Sequence, residues 1–278
     1  MNIFVTGATG FVGGYFVNEA LSRGHKVTGL VRTNSKPKIA PSGCVHWQLA
    51  ELDKITSNDL AGADVLVHFA SVGVSPQKST WEELYFWNVM VLLRLLEAAA
   101  SAGIGKIIIA GSFIEYGLSA DDYELIPVTA ALRPTTPYAA SKASGFELAH
   151  SFCTNNSISL VYKRIFSAYG IGQYQGNFWP SLRAAALSGE DFPMTPGEQI
   201  RDFISVEKVA QQFMDSAEDE FESGAIPIVQ NVCSGKGVAI VDFAKYWWET
   251  WNAKGALRPG ALKSRGNEPI RFVGVPSK

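Results

Sequence analysis

Apolar residues fall along this chain in short runs that alternate with longer amphipathic stretches. "NIFVTGA" reads as a strand and residues 11–23 as a helix, and "KVTGLVR", "VHWQLAEL" and "DVLVHFAS" follow as three more strands. Further on, the pattern predicts a helix over residues 81–102, the strand "GKIIIAGS", a helix from Tyr138 to about Asn155, and a strand in "SLVYKRIFSAYG" that runs into a glycine-bearing loop. Strands that are apolar throughout, and not only at alternate positions, are buried on both faces. Interleaved with helices they predict a doubly wound parallel α/β sheet. Beyond Gly170 the pattern loosens into the loop-rich stretches "GIGQYQGN", "MTPGEQIRDF" and "RPGALKSRGNEP" around two helices. The organisation expected is a nucleotide-binding sheet domain over residues 1–168 and a smaller α/β lobe over residues 169–278, interleaved with it.

Composition narrows this picture modestly. The 278 residues are 47% hydrophobic and 18% charged, which fits a large core and excludes wholesale disorder. A net charge of -2 gives no reason to expect a nucleic-acid or acidic-membrane surface. The most apolar stretch, "VMVLLRLLEAAASAG", is broken by Arg94 and Glu97. Cys44, Cys153 and Cys233 lack metal or redox spacing and read as reduced core residues. With a strand at its very start and no leader pattern, the chain is expected to be soluble and cytoplasmic.

Chemistry enters with "VTGATGFVGG", where Gly7, Gly10 and Gly13 lie between a strand and a helix. Glycines there permit the tight turn, the close approach of a pyrophosphate and helix–strand packing, and the helix N-terminus offers free N–H groups to phosphate. The loop, with Thr9, Phe11 and Val12, is a candidate dinucleotide site. The second strand ends in Arg32 without the acid that an NAD ribose favours, so a 2′-phosphate and hence NADP is the preferred cofactor, with NAD as the alternative.

"PYAASK" sets Tyr138 and Lys142 four apart, on one helix face. A nearby ammonium is expected to lower the phenol from its reference of about 10, so that it can exchange a proton with a substrate oxygen. Ser112, just past its strand, would hydrogen-bond the same oxygen.

Taken in order, "TGATGFVGG", "HFAS", "GSFIEYG", "PYAASK" and "RDFISVEKVA" resemble the extended short-chain dehydrogenase/reductases of the nucleotide-sugar epimerase/dehydratase group. The resemblance implies a Rossmann domain for NAD(P), a smaller lobe for a nucleoside-diphosphate sugar, and Ser112, Tyr138 and Lys142 as the catalytic trio. It further implies that Glu51 and Leu52 flank the adenine, that Phe69, Ala70 and Ser71 line the middle of the cofactor, that Asn88 supports the site, and that Ile165 meets the carboxamide. On the sugar-nucleotide side it implies roles for Arg201, for Arg265 with Glu268, and for Asn177. Ser167 departs from the family by replacing an asparagine. The chain also ends at "VPSK", short of the family's last helix, which implies truncation and a less closed lobe.

Phe113 and Ile114 occupy the places where dehydratases carry an acidic pair. Neither can move a proton, which argues against dehydration. The remaining choices are one hydride transfer, as in an NADPH-dependent reductase of an NDP-4-keto-6-deoxy sugar, or transfer out and back, as in a 4-epimerase with tightly bound NAD. An apolar wall at residues 113–114 suits a substrate methyl group, and the reductase is the preferred reading. His68, inside a strand, reads as a satisfied core histidine, and "YWWETW" as packing of the small lobe or a partner face. The two long apolar helices resemble the family's dimer-forming pair, so a homodimer is expected.

Overall fold

A computed structural model describes residues 1–74, 79–220, 226–263 and 269–277. The central sheet has seven strands, all parallel: β1 (Asn2–Thr6), β2 (Lys26–Val31), β3 (His46–Leu49), β4 (Val65–His68), β5 (Lys106–Ser112), β6 (Ser159–Ile165) and, much later in the chain, β10 (Ile228–Val232). Their spatial order is β10-β6-β5-β4-β1-β2-β3. The order reverses between β1 and β4, which opens a crevice at the carboxyl ends of the strands where a ligand can settle.

Alternation along each strand sends its side chains into two separate cores. Phe4, Leu66, Ile107, Ile109 and Leu160 join one cluster under α3 (Val91–Ser101) and α4 (Pro137–Asn155). Ile3, Val5, Val65, Val67, Ile108 and Val161 join the other under α1 (Phe11–Ser22) and α6 (Val206–Glu218). A sheet covered on both faces by parallel crossovers is what uninterrupted apolar strands require.

The helix expected over residues 81–102 is α2 (Trp81–Tyr85) and α3 joined by a π-helical turn, Phe86–Met90. The run Trp81–Ser101 is 21 residues long and apolar enough by length and composition to cross a membrane. Leu84, Val91, Leu92, Leu95 and Leu96 are nevertheless buried inside the protein, so one face of the run is core. Cys153 and Cys233 are buried as expected, whereas Cys44 is exposed.

"SLVYKRIFSAYG" is not one strand. β6 stops at Ile165, and after Phe166 the chain forms β7 (Ser167–Tyr169), which pairs with β9 (Ile200–Ser205) of a second sheet that also holds β11 (Gly237–Ala239) and β13 (Arg271–Phe272). β8 (Phe192–Met194) pairs with β12 (Leu257–Pro259), and α5 (Phe178–Ser188) packs with α7 (Ile240–Thr250) over them. α6 and β10 return from this lobe to the central sheet, so the second part of the chain contributes to both bodies.

Candidate active site

β1 delivers Gly7 to the crevice in a left-handed conformation, φ 71°. A Cβ at Gly7 would lie 2.7 Å from the Ala70 amide nitrogen and 2.8 Å from the Phe69 carbonyl carbon, and one at Gly13 would collide with the Gly7 carbonyl oxygen. These are the close backbone approaches that make room for a pyrophosphate in front of a helix. The Gly10 N–H donates to the Gly7 carbonyl at 2.9 Å, and α1 then starts with Gly10 as a cap that has no side chain and with no acid in its first turn. Thr9, Phe11 and Val12 belong to this same loop and helix start. The cradle therefore fits a dinucleotide phosphate by its chemistry as well as its spacing.

At the end of β2, Arg32, Thr33, Asn34 and Ser35 line a cavity of about 480 Å³, with Glu51 opposite. Leu52 is buried in the core beneath it. The ring of Phe69 points away from the crevice and packs on Phe16 and Phe213 at 5.3 and 4.8 Å, leaving only its backbone at the expected place. Ser71 donates to Asn88 Oδ1 at 3.1 Å, as does the Val72 amide at 3.0 Å. Asn88 Nδ2 in turn donates to the Val72 carbonyl and to Ser141 Oγ, each at 3.0 Å. This buried asparagine sits in the π-helical turn and ties the loop after β4 to α4.

Ser112 closes β5 and lies in register with Ile165 on β6. Tyr138 and Lys142 stand on α4, whose start is fixed by Pro137 at the first helical position and by Thr136, which accepts from the Ala139 amide. Two neighbouring elements, β5 and α4, thus carry the three residues, and the Lys142 ammonium reaches the Ala110 carbonyl on β5. The expected acidity of Tyr138 is not what this geometry gives. Burial pushes its phenol up to about 12, a hydrogen bond to Ser71 works in the opposite direction, and the Glu115 charge adds to the rise. The Lys142 ammonium donates instead to the Ala110 carbonyl at 2.8 Å. Burial draws Lys142 below its usual value, and Glu115 opposes that. His68 hydrogen-bonds Thr6 through Nδ1 at 2.7 Å and is held down to about 3, first by burial and then by the Lys142 charge, so it is a neutral core residue.

Phe113 stacks on Phe166 at 5.4 Å and meets the edge of Phe272 at 4.9 Å, which makes it the aromatic seam between the central sheet and the lobe. Ile114 is half-buried beside it. Ser167 lies on β7 opposite Phe203, and Asn177 precedes α5 as its N-cap. Arg201 is buried: its guanidinium donates to the carbonyls of Ile200, Pro269 and Ile270 and sits over the Phe272 ring at 5.4 Å. Arg265 and Glu268 lie outside the described residues. In the "YWWETW" segment Trp248 is core, while Tyr246 is exposed.

The pattern reading passed over Glu115 and Arg164. Behind Ser112 the Glu115 carboxylate is 0% exposed and forms an ion pair with the 2%-exposed Arg164 at 2.9 Å. Its other oxygen accepts from the Ser112 amide at 2.7 Å and from the Tyr162 hydroxyl at 2.9 Å. One signal was available: a charged residue inside "SLVYKRI", a strand apolar enough to be buried, needs a buried counter-charge.

A family model described as the NAD dependent epimerase/dehydratase family matches residues 3–233. A dTDP-6-deoxy-L-talose 4-dehydrogenase (NAD(+)) from Aggregatibacter actinomycetemcomitans is 28% identical over 85% of this chain and 85% of its own length. A UDP-glucose 4-epimerase from Erwinia amylovora is 26% identical over 88% of this chain and 81% of its own. The CDP-abequose synthase of Salmonella muenchen is 23% identical over 96% and 86%. Among solved structures, MoeE5 in complex with UDP-glucuronic acid and NAD superimposes with a TM-score of 0.85 at 25% identity, over 99% of this chain and 90% of that one.

Proposed function

Because the chain belongs to the NAD dependent epimerase/dehydratase family, whose members modify nucleoside-diphosphate sugars, we propose that it is a cytoplasmic NADPH-dependent 4-ketoreductase of an NDP-4-keto-6-deoxy sugar. The observation that carries this reading is the turn after Ser112. Phe113 is packed among aromatic rings, Ile114 is apolar, and the nearest acid, Glu115, is fully buried and bound to Arg164. Phe113 and Ile114 cannot take a proton from a sugar carbon or pass one to a departing hydroxyl, and the buried Tyr116 hydroxyl at the turn's end is committed to Asn231, which argues against elimination of water. Transfer of hydride to or from one carbon needs only the trio.

Gly7, Gly10, Gly13 and the N-terminus of α1 would hold the cofactor phosphates, and Arg32 with Thr33 and Ser35 would receive a 2′-phosphate. When bound, the nicotinamide supplies the hydride. The protein's own residues do the rest. Ser112 donates a hydrogen bond to the carbonyl oxygen and Tyr138 delivers a proton to it. A phenol near 12 remains protonated at neutral pH, which suits a proton donor. Lys142 carries positive charge to the same corner. Ser167, Asn177, Arg265 and Glu268 are the proposed sugar-nucleotide contacts from the lobe. The apolar seam at Phe113 and Ile114 suits a C6 methyl group. Trp81 and Met90 stand exposed on the run that leads into α3, and we place a homodimer contact there.

A second reading has its own support. The dehydrogenase relative is named for NAD(+), MoeE5 was solved with NAD, and an epimerase stands among the relatives, so a 4-epimerase retaining NAD uses the same trio. Denaturing freshly purified protein and identifying the released nucleotide by chromatography separates the two. An empty site that refills with NADPH in preference to NADH, followed by NADPH consumption with an NDP-4-keto-6-deoxy sugar, is expected. Stoichiometric NAD would move the assignment to the epimerase.

A further inference from the structure

We propose that the buried Glu115–Arg164 pair is the positioning element of this active site, fixing where Ser112 stands and how much negative charge Tyr138 faces, without itself touching substrate. The inference rests on Ser112 and Tyr138 being the reacting groups and is indifferent to which sugar they act on.

Glu115 lies three residues past Ser112, on a tight turn that folds its carboxylate back beneath the strand end. One oxygen collects the Ser112 amide and the Tyr162 hydroxyl, and the other collects Arg164 Nε. The Arg164 guanidinium lies between the rings of Phe146 and Tyr116, at 4.6 and 4.8 Å, and donates to the Tyr116 hydroxyl at 3.2 Å. Tyr116 then donates to Asn231 Oδ1 at 2.6 Å, which anchors the assembly in β10. On the other side Phe146 belongs to α4, one turn beyond Lys142, and the Tyr162 hydroxyl lies 3.3 Å from the Lys142 carbonyl. The pair is therefore wired to both elements that carry the trio. The strand makes room for it: a Cβ at Gly111 would lie 3.0 Å from Glu115 Oε1 and would collide with the Tyr162 ring.

Stability gives little reason to bury such a pair, because well-packed apolar residues of similar volume commonly do as well or better. Geometry gives a reason. The titratable groups whose charge reaches Tyr138 are Glu115 on the turn and Tyr162 on β6, and Ser71 hydrogen-bonds its hydroxyl. Glu115 is the anion among them. Its charge adds to the burial that raises the Tyr138 phenol and opposes the burial that lowers Lys142.

The test is the ionisation of Tyr138, read as tyrosinate absorbance after subtraction of the matching Tyr138→Phe protein, together with kcat and KM. Glu115→Gln should ionise Tyr138 at lower pH than the wild-type protein. Glu115→Asp keeps the charge but not the reach, so it should leave that midpoint in place and lower kcat by about 10- to 100-fold with little change in KM. Should Glu115→Gln fail to fold, the double variant Glu115→Leu/Arg164→Met removes both charges together and is expected to fold with a smaller downward movement, because loss of the Arg164 cation works the other way. A folded charge-removing variant with wild-type Tyr138 ionisation and wild-type kcat overturns the proposal. A lowered Tyr138 midpoint in a protein that reduces no keto sugar would sink the reductase reading and leave this role standing.

Discussion

In the central sheet, Ile3, Val5 and Val67 on one face and Phe4, Leu66 and Ile109 on the other vanish into two cores built mostly from aliphatic side chains. The small lobe is made differently. Its strands run for two to six residues, and Tyr169, Trp179, Phe203, Phe243, Trp247 and Trp251 pack largely edge to face, with Phe203 and Phe243 stacked at 3.7 Å. Long parallel strands fix backbone atoms in register, which is what a proton donor and a phosphate cradle need. Short strands between rings leave long loops, which under the proposed function would receive the sugar nucleotide. The comparison predicts that damage at the sheet's edge abolishes chemistry or cofactor binding, whereas damage in the lobe weakens substrate binding.

The largest effect belongs to Tyr138. Tyr138→Phe removes one hydroxyl from α4, and turnover should fall by about 100- to 10,000-fold while cofactor affinity and melting temperature stay near wild type. A loss of cofactor affinity of the same size would show that the residue holds the ligand and does not act on it. Next comes Gly7→Ala. A methyl group there meets the Ala70 and Phe69 backbone and must hold φ 71°. Strain of about 1–3 kcal/mol is expected, with cofactor binding lost in titration before the fold is lost on heating.

Much of the first region was legible because its signals are local. The run "NIFVTG" and the glycines after it specify a strand, a turn and a helix within a dozen residues, and α4 begins at Pro137, one residue before the expected start at Tyr138. The Glu115–Arg164 pair joins residues 49 apart and has no local pattern, only an oddity in each place. The altered acidity of Tyr138 was hidden for a related reason. Spacing on a helix puts Lys142 on the same face, but the burial that raises the phenol is set by the packing of α4 on the sheet, and the Lys142 ammonium goes to the Ala110 carbonyl of β5. Arg201 illustrates the limit in the lobe, where a charge expected to face a diphosphate is buried against carbonyls of a segment nearly 70 residues away.

A smaller effect tests the lobe itself. Asp202 is fully buried on β9, and its carboxylate accepts from the Ser234 amide and hydroxyl at 2.7 and 2.6 Å and from the Gly235 amide at 2.9 Å. It pins the loop leaving β10 to the second sheet. Asp202→Asn replaces an acceptor by a donor facing those groups and should cost about 1–3 kcal/mol. The comparison is sharpened if KM for the sugar nucleotide rises while cofactor affinity holds. It breaks if cofactor affinity falls as KM rises.

The smallest effect is a slope, and it returns to the central sheet. His68 is neutral in the folded protein, held down to about 3 by burial and by Lys142, and stands near 6.5 once the chain unfolds. Between these values the unfolded chain binds the extra proton, so stability rises with pH across the window and is lost as pH falls from about 6.5 toward 3. The slope from this one group is at most about 1.4 kcal/mol per pH unit. Lys106 and Lys163, lowered by burial to about 8, act only between about 8 and their ordinary value of 10.5, where they too make stability rise with pH. The carboxylates of Asp59 and Glu218, lowered by their hydrogen bonds, lose their contribution only below 3.8 and 4.5. From pH 6.5 to about 5, then, His68 is the group whose titration should dominate. Denaturant unfolding of wild type and His68→Asn across that interval should give a sloping line for the first and a nearly flat one for the second. Parallel slopes would mean that the histidine is charged in the folded protein, and that the sheet edge beside Lys142 is wetter than its packing implies.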